Sequence, residues 1–313
     1  MIPLPPTTLP PSTAPEPDHE SFFHPFYPSD SQYADIVLRS KDNIDFCVHS
    51  LILKLSSSVF RDLFEIPRCH TETNKTPITL DEDEDILSAL LDIIYPNVML
   101  RSDRIGIAIE RDARRIIDAA EKYDMTAVVA FVRRWLFDDS GGTPTNENTW
   151  SPIRLYDLAR KRGWSKEARV ASRWTLKEGL KTPASLSELQ LVSTATILEL
   201  QKLHAYRIEV FFDHLLRSTF KFHTQYCEQA ARSTLSRNDE WKFFVLTVTE
   251  ELQNDPLGSA LRDDNVWLKQ GYSQILQMQA PSCSCYHANY FDFQGRLIDA
   301  VSQTLDDLPT FIT

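Results

Sequence analysis

In the stretch from Ala34 to Phe64, apolar residues first recur at every second position and then at the spacing of an α-helix. Ile36 and Leu38 alternate with neighbours on the opposite face, and a second alternating segment follows the polar turn at residues 41–43. A period of two is typical of half-buried strands, so the two segments predict a β-hairpin. From Leu51 onward apolar residues recur at helical spacing, with a run of three serines available to cap a second short helix. A hairpin that leads into two helices on one core predicts an α+β domain.

The pattern up to residue 137 extends this domain. Residues 78–80 predict a short strand that completes a small sheet, and helices are predicted over residues 86–95, 107–123 and 125–136. The acidic run at 81–85 precedes the first of these helices. We interpret it as capping the helix and offsetting its dipole, because it lacks the glycine turn and distal glutamate that a calcium loop would need.

Five fragments in this region resemble, in order, the BTB/POZ domain, a protein-interaction fold. The fragments are Asp35-Ile36-Val37-Leu38, Phe46-x-Val48-His49-x-x-Ile52-Leu53, Ser56 to Phe64, Leu90 to Tyr95 and Ala119 to Met125. The resemblance covers residues 33 to 137. It implies a small sheet with surrounding helices, followed here by a mostly α-helical domain.

Composition and hydrophobic pattern divide the chain into four predicted segments. Residues 1–32 form a proline-rich disordered tail, with a polyproline ligand as the alternative, although the aromatic residues at 22–27 are expected to cover apolar surface of the first domain. The BTB/POZ domain follows at 33–138, a linker at 139–150 and the α-helical C-terminal domain at 151–313. The His-Pro-Phe at position 24 and the pattern from Leu155 to Gly163 are similar to BTB proteins of fungi.

The net charge and the cysteine count favour an intracellular protein. A net charge of −11 opposes binding to nucleic acid or to an anionic membrane, since both need a basic surface. The odd number of cysteines, five, does not form a disulfide framework, and no secretory signal is visible. A reducing compartment, cytoplasmic and/or nuclear, is therefore expected.

Motifs for catalysis or cofactor binding are missing from the sequence. There is no nucleophile elbow, zinc-protease motif, phosphate loop or dinucleotide fingerprint, so we predict neither an enzyme nor a cofactor. One cluster could supply a tetrahedral zinc site: Cys227, Cys283, Cys285 and His287. Because its spacing is tighter than that of a zinc knuckle, we interpret it as ordinary thiols and a surface histidine, with zinc as the alternative.

The resemblance implies a self-associating, non-enzymatic protein that recruits partners, with an unknown protein bound by the C-terminal domain. Many family members are substrate adaptors that bind cullin-3 in ubiquitin ligation, through a surface expected here near residues 60–66 and 88–100. Asp35 and His49 would pair near the dimer surface. Two alternatives remain: a scaffold or transcriptional co-regulator without cullin binding, and an enzyme in the helical half. The expected homodimer or partner contacts are Asp35, His49, Leu51, Leu55, Phe60, Phe64 and Tyr95.

Overall fold

The computed structural model describes residues 22–29, 33–66, 76–96, 102–137, 150–177, 179–219, 239–263, 266–267 and 293–312. The chain divides into two compact units, Met1–Val132 and Arg133–Thr313. The first combines a sheet with helices, and the second is helical throughout the part that is described. The predicted α+β class for the first unit and the predicted helical remainder are both confirmed.

The sheet of the first unit has four short strands: β1 (Phe22–Phe23), β2 (Ile36–Arg39), β3 (Ile44–Val48) and β4 (Ile78–Thr79). Their order is β1-β3-β2-β4. β2 and β3 form the predicted antiparallel hairpin, whose turn places Asn43 in the left-handed region at φ 66°. β4 adds to β2 in parallel, which confirms the predicted third strand.

β1 was not predicted, and it changes how β3 is buried. β1 pairs in parallel with β3, and the residues after it donate and accept backbone hydrogen bonds along β3. Asp45 and Cys47, which alternate with Phe46 and Val48 along β3, are also buried. Residues 22–27 lie beside β3, and Arg39 binds the Asp45 carboxylate through two hydrogen bonds of 2.6 and 2.8 Å.

Five helices begin in the first unit, and the last of them continues past its boundary at Val132: α1 (Ser50–Ser56), α2 (Ser58–Glu65), α3 (Glu84–Ile94), α4 (Ser102–Lys122) and α5 (Thr126–Leu136). Ser57 separates the first two because its backbone is extended, and its hydroxyl accepts a hydrogen bond from the amide of Phe60 to cap α2. α3 ends before Pro96, as the sequence predicted. The helices bury apolar faces against one another, and Ile116, Ile117 and Leu91 are almost completely inaccessible.

The second unit contains six further helices in the described part of the chain: α6 (Pro152–Lys161), α7 (Ser165–Trp174), α8 (Pro183–Leu189), α9 (Thr194–Thr219), α10 (Asp239–Asn254) and α11 (Phe293–Asp307). Short 3-10 turns lie at Thr175–Lys177 and Ala260–Arg262. α9, α10 and α11 share an apolar core that includes Phe211, Phe244 and Leu297. Among the described helices, none is both long and apolar enough to cross a membrane.

Candidate interaction surface

The most exposed apolar side chains of the hairpin–helix region lie on α1 and α2. Leu51 is 66% exposed and Leu55 is 79% exposed on α1, and Val59 (39%) and Leu63 (36%) follow on α2. Leu51 and Leu55 lie four residues apart on α1, and Val59 and Leu63 lie four residues apart on α2, so the two residues of each helix share one face. We call these four residues the apolar row. Isolated exposed apolar residues are ordinary on a protein surface, but a regular row of four on consecutive helices is typical of an interaction site.

Asp35 fixes the beginning of α1. Its Oδ1 accepts a hydrogen bond of 2.8 Å from the amide of Ser50, and its Oδ2 accepts one of 2.6 Å from the Ser50 hydroxyl. The residue that precedes the helix, His49, makes no capping bond with its side chain, so Asp35 supplies the acceptor from the start of β2. Burial alone would raise the pKa of Asp35, but the hydrogen bonds from Ser50 and the nearby His49 hold it below its usual value.

His49 is tied to the end of α3. The Tyr95 hydroxyl accepts a 2.9 Å hydrogen bond from the His49 amide and lies 3.0 Å from the ring nitrogen Nδ1. Tyr95 is buried, and its ring meets that of Tyr27 edge-on. Asp35 and His49 therefore lie at the same junction of hairpin, α1 and α3. The two are close enough for His49 to lower the pKa of Asp35.

The segment before the hairpin is anchored in the same region by a buried polar cluster. The Tyr27 hydroxyl donates a 2.9 Å hydrogen bond to Asp92, whose other oxygen lies 2.8 Å from an Arg104 nitrogen. The Arg104 guanidinium also lies 3.8 Å from the centre of the Phe26 ring, close enough for a cation–π contact. These contacts connect β1 and the following turn to α3 and α4.

His24 is part of this anchor, and its pKa lies below the usual value for histidine. It is buried, and its ring stacks on Phe46 with centroids 4.7 Å apart. Burial is the main cause that lowers its pKa, and the neighbouring Arg104 lowers it further, while Asp92 opposes the change. Because residues 22–27 pack on the domain in this way, the predicted tail does not extend to residue 32. The prediction that its aromatic residues cover the domain holds for Tyr27, whereas Phe22 and Phe26 stay largely exposed.

The acidic run before α3 is bound by basic residues of α4. Asp83 accepts a hydrogen bond from the Ile86 amide, which confirms the predicted capping role. The same residue also binds Arg115, and Asp85 lies 2.8 Å from Arg111. Lys122 contacts both Asp81 and Glu82. The run therefore joins α3 to α4 through ion pairs. Such exposed pairs contribute little individually, typically less than about 1 kcal/mol each.

The predicted contact residues do not share one surface. Leu51 and Leu55 belong to the apolar row, and Asp35 is exposed beside them. Phe60 is 1% exposed, since its ring stacks on Tyr123, and it therefore belongs to the core of the domain. Tyr95 is also buried, and Phe64 is partly buried against Phe60. The candidate zinc ligands Cys227, Cys283, Cys285 and His287 lie outside the described residues.

Val59, Leu63 and the Tyr27–Asp92–Arg104 cluster were not predicted as parts of the site. Helical spacing could have identified Val59 and Leu63 as a second pair, because they also lie four residues apart. No comparable signal exists for the buried cluster. Two of its members, Tyr27 and Asp92, lie 65 residues apart in the chain.

The second unit has one cavity of note in its described part, where α6, the end of α7 and α8 meet. Its volume is about 310 Å³. Trp174, Thr175 and Glu188 line it, whereas the partly buried His204, whose pKa burial lowers to about 4, does not.

Comparison with known proteins agrees with the architecture of the first unit. Residues 26–137, a little over a third of the chain, match the family model of the BTB/POZ domain. No curated protein matches the chain. The match includes the hairpin, the apolar row and all five helices of the first unit. The chain therefore carries a BTB/POZ domain, a protein-interaction fold, followed by a mostly helical region.

Proposed function

We propose that the protein is a non-enzymatic interaction module that forms a homodimer through the apolar row of α1 and α2. The observation that carries this proposal is the exposure of Leu51 and Leu55, the two most exposed leucines in the described part of the BTB/POZ domain. Complete burial of a leucine side chain stabilises by about 1.5–3 kcal/mol, so two copies of this row offer a substantial driving force. A two-fold interface would use the same row on both protomers.

Hydrogen bonds and core contacts of α1 and α2 hold the apolar row rigid, which lowers the entropic cost of binding. Asp35 caps α1, and the Ser57 hydroxyl both caps α2 and donates a 2.5 Å hydrogen bond to the Tyr123 carbonyl. Phe60 inserts from α2 into the core between these contacts. A surface that is already fixed in the unbound protein loses less conformational freedom when it binds.

The solution mass of the full chain, measured by light scattering, tests the dimer. We expect the wild-type chain to be dimeric and the double variant Leu51→Asp/Leu55→Asp to be monomeric, because each carboxylate would have to be buried without a partner. Ile107→Asp is the matched control, since Ile107 on α4 is 62% exposed but outside the apolar row. A dimer that survives the double variant, or a wild-type monomer at micromolar concentration, would contradict the proposal.

Cullin-3 is the specific partner that the family resemblance suggests. Of the surface expected for it, residues 61–65 are exposed or partly buried, while residues 88–93 of α3 are buried. We therefore propose that any cullin-3 contact uses the end of α2. Adding the N-terminal domain of cullin-3 to the full chain in the same measurement should raise the mass of the complex. Absence of a shift would leave a scaffold or transcriptional co-regulator that does not bind cullin-3.

We also propose a separate role for each segment of the chain. The BTB/POZ domain at residues 33–138, extended at its start by β1, would self-associate, and the helical domain at 151–313 would bind a separate protein partner. Residues 139–150 would serve as the linker. The expected compartment is the cytoplasm or nucleus, where the five cysteines would stay reduced.

A further inference from the structure

The first helices of the second unit carry a net positive charge, although the chain as a whole is acidic. The whole sequence has 33 Lys and Arg residues against 44 Asp and Glu residues. Residues 151–177 reverse this balance, with eight basic residues against two acidic ones. The basic residues are Arg154, Arg160, Lys161, Arg162, Lys166, Arg169, Arg173 and Lys177. The excess is therefore concentrated on α6, α7 and the 3-10 turn that follows α7.

Three of these cations form a stripe along α7. Lys166, Arg169 and Arg173 are all exposed, and their spacing of three and four residues places them on one face of the helix. Lys177 follows four residues later in the 3-10 turn and is also exposed. We call these four residues the basic stripe. It spans about 16 Å along the helix at a rise of about 1.5 Å per residue.

Two described carboxylates near the stripe are bound by residues outside it. The α7 carboxylate Glu167 is bound by Arg133, with 2.6 Å between Oε2 and Nη2. Asp157 on α6 is buried and lies 2.7 Å from Lys161. Within the described part of the chain, Lys166, Arg173 and Lys177 have no ion pair. Their charge is therefore available to an anionic partner.

The basic stripe ends at the cavity. Lys177 and the buried Trp174 both contribute to its wall, together with Pro152, Ser151 and Glu188. A volume of about 310 Å³ is at the lower end of the range for ligand pockets, which suits a single aromatic side chain. One Glu188 oxygen, Oε2, accepts a 2.6 Å hydrogen bond from Ser151. The other, Oε1, makes no hydrogen bond within the described residues and could accept one from a ligand.

We propose that α7 and this cavity bind an acidic peptide segment of another protein. Carboxylates of the peptide would pair with the basic stripe, and one tyrosine or tryptophan side chain would enter the cavity. Its hydroxyl or indole N–H would donate a hydrogen bond to Glu188. A central aromatic anchor surrounded by charged contacts is the usual arrangement of a peptide-binding hot spot.

The structure favours a peptide over nucleic acid. Trp174 is 2% exposed, so it forms a wall of the cavity and cannot serve as a platform on which bases stack. The net charge of the whole chain, −11, would also repel a long polyanion. A short acidic segment needs only the local positive field of the stripe, which acts over about 10 Å at 0.1 M salt.

Fluorescence anisotropy with the full chain tests this proposal. The probe is a fluorescein-labelled peptide, Glu-Asp-Glu-Tyr-Glu-Asp-Glu, and a second peptide replaces its tyrosine with alanine. We expect the tyrosine peptide to bind more tightly and both to weaken as salt is raised. The double variant Arg173→Glu/Lys177→Glu should lose about tenfold in affinity, as expected for two exposed charge pairs that become repulsive. Ala184→Phe, which narrows the cavity from α8, should remove the preference for tyrosine.

The control Lys202→Glu/Lys242→Glu makes the same change in net charge at exposed positions on α9 and α10. It should bind the peptide like the wild type. Equal losses in both double variants, or no binding at low salt, would overturn the proposal. An oligothymidine that binds as well as the peptide and ignores Ala184→Phe would also overturn it, as would binding of phosphatidylserine vesicles without binding of the peptide.

Discussion

The hydroxyl of Tyr27 donates a buried hydrogen bond to the carboxylate of Asp92, 2.9 Å away. Tyr27 belongs to the segment that follows β1, and Asp92 lies in the last turns of α3. Arg104 of α4 binds the second oxygen of Asp92, so one carboxylate joins three parts of the domain. The N-terminal segment is thereby a structural part of the BTB/POZ domain and supports the junction from which the apolar row projects.

Replacing Tyr27 with phenylalanine should lower the free energy of unfolding of the first domain by about 1.5 kcal/mol. The ring would still fill its buried site, but Asp92 would lose one of its hydrogen-bond donors while remaining bound to Arg104. Urea unfolding followed by circular dichroism measures the change. Five of the six tryptophans lie at residue 150 or later, so tryptophan fluorescence follows mainly the second unit.

Tyr33→Phe is the control for this variant, because Tyr33 is 83% exposed. It should leave the unfolding free energy unchanged within about 0.5 kcal/mol. If Tyr27→Phe were equally neutral, the hydrogen bond to Asp92 would contribute nothing to the anchoring of the N-terminal segment.

Asp35→Asn should weaken the start of α1, because an amide offers one acceptor oxygen for the two hydrogen bonds that Ser50 donates, and should make the first domain less stable by about 1 kcal/mol at neutral pH. The pKa of Asp35 lies below its usual value in the folded protein. Its contribution is therefore complete above the unfolded pKa of about 3.9 and is lost as the pH falls through the lowered folded pKa. The stability difference between wild type and variant should shrink below about pH 4. Asp62→Asn, an exposed change on α2, should show neither effect.

How far the sequence predicted the first domain depends on the range of the interactions. The hairpin and the start of α2 could be predicted because they depend on local sequence. The hairpin follows from the period of two in residues 36–38, and the start of α2 follows from the serine run that includes Ser57. β1 could not be predicted, because a two-residue strand has no measurable period. The burial of Asp45 also depends on an arginine in the neighbouring strand, a contact that hydrophobic pattern cannot express.

Stability of the second unit should depend on pH through His204. Burial, helped by the nearby Arg207, lowers the pKa of His204 to about 4 in the folded protein. The unfolded chain has a pKa of about 6.5, so it binds a proton first as the pH falls and folding becomes less favourable. When the pH falls from about 7.5 to about 5, His204 should lower the free energy of unfolding of this unit by about 2 kcal/mol. Urea unfolding followed by tryptophan fluorescence at both pH values measures the loss.

His204→Gln should remove most of that loss, whatever its effect on stability at neutral pH. His214→Gln, on the same helix, is the matched control and should keep the pH dependence of the wild type. A wild-type curve as flat as that of His204→Gln would show that His204 is protonated as easily in the folded unit as in the unfolded chain.

The candidate surfaces illustrate a second limit of sequence reasoning. The spacing of Leu51 and Leu55 predicted an amphipathic helix, but only the structure shows that their side is exposed while Phe60, seen in the same pattern, is buried. The basic stripe on α7 was not predicted, although its spacing of three and four residues can be read in the sequence. Its relation to the cavity cannot, since the cavity forms where residues 151–153 meet Trp174 and residues 184–188.

Gly179 should be harder to replace than Gly163, another described glycine of the second unit. A Cβ atom there would lie 2.0 Å from the carbonyl oxygen of Gln253 and 2.8 Å from the Cα of Asn254. Both are backbone atoms at the end of α10, and the Gly179 amide already donates a 2.8 Å hydrogen bond to the Asn254 carbonyl. Because neither segment can move without breaking this contact, Gly179→Ala should destabilise the unit by about 3 kcal/mol.

Gly163→Ala provides the comparison. Gly163 has a φ of +69°, but no atom lies within 4 Å of the position of a Cβ, so the cost is limited to backbone strain of about 1 kcal/mol. Urea unfolding followed by tryptophan fluorescence should therefore rank the two variants clearly. If Gly163→Ala proved the more damaging, the close approach of Gly179 to the end of α10 would not be a constraint in solution, and the left-handed turn after α6 would be the more demanding site.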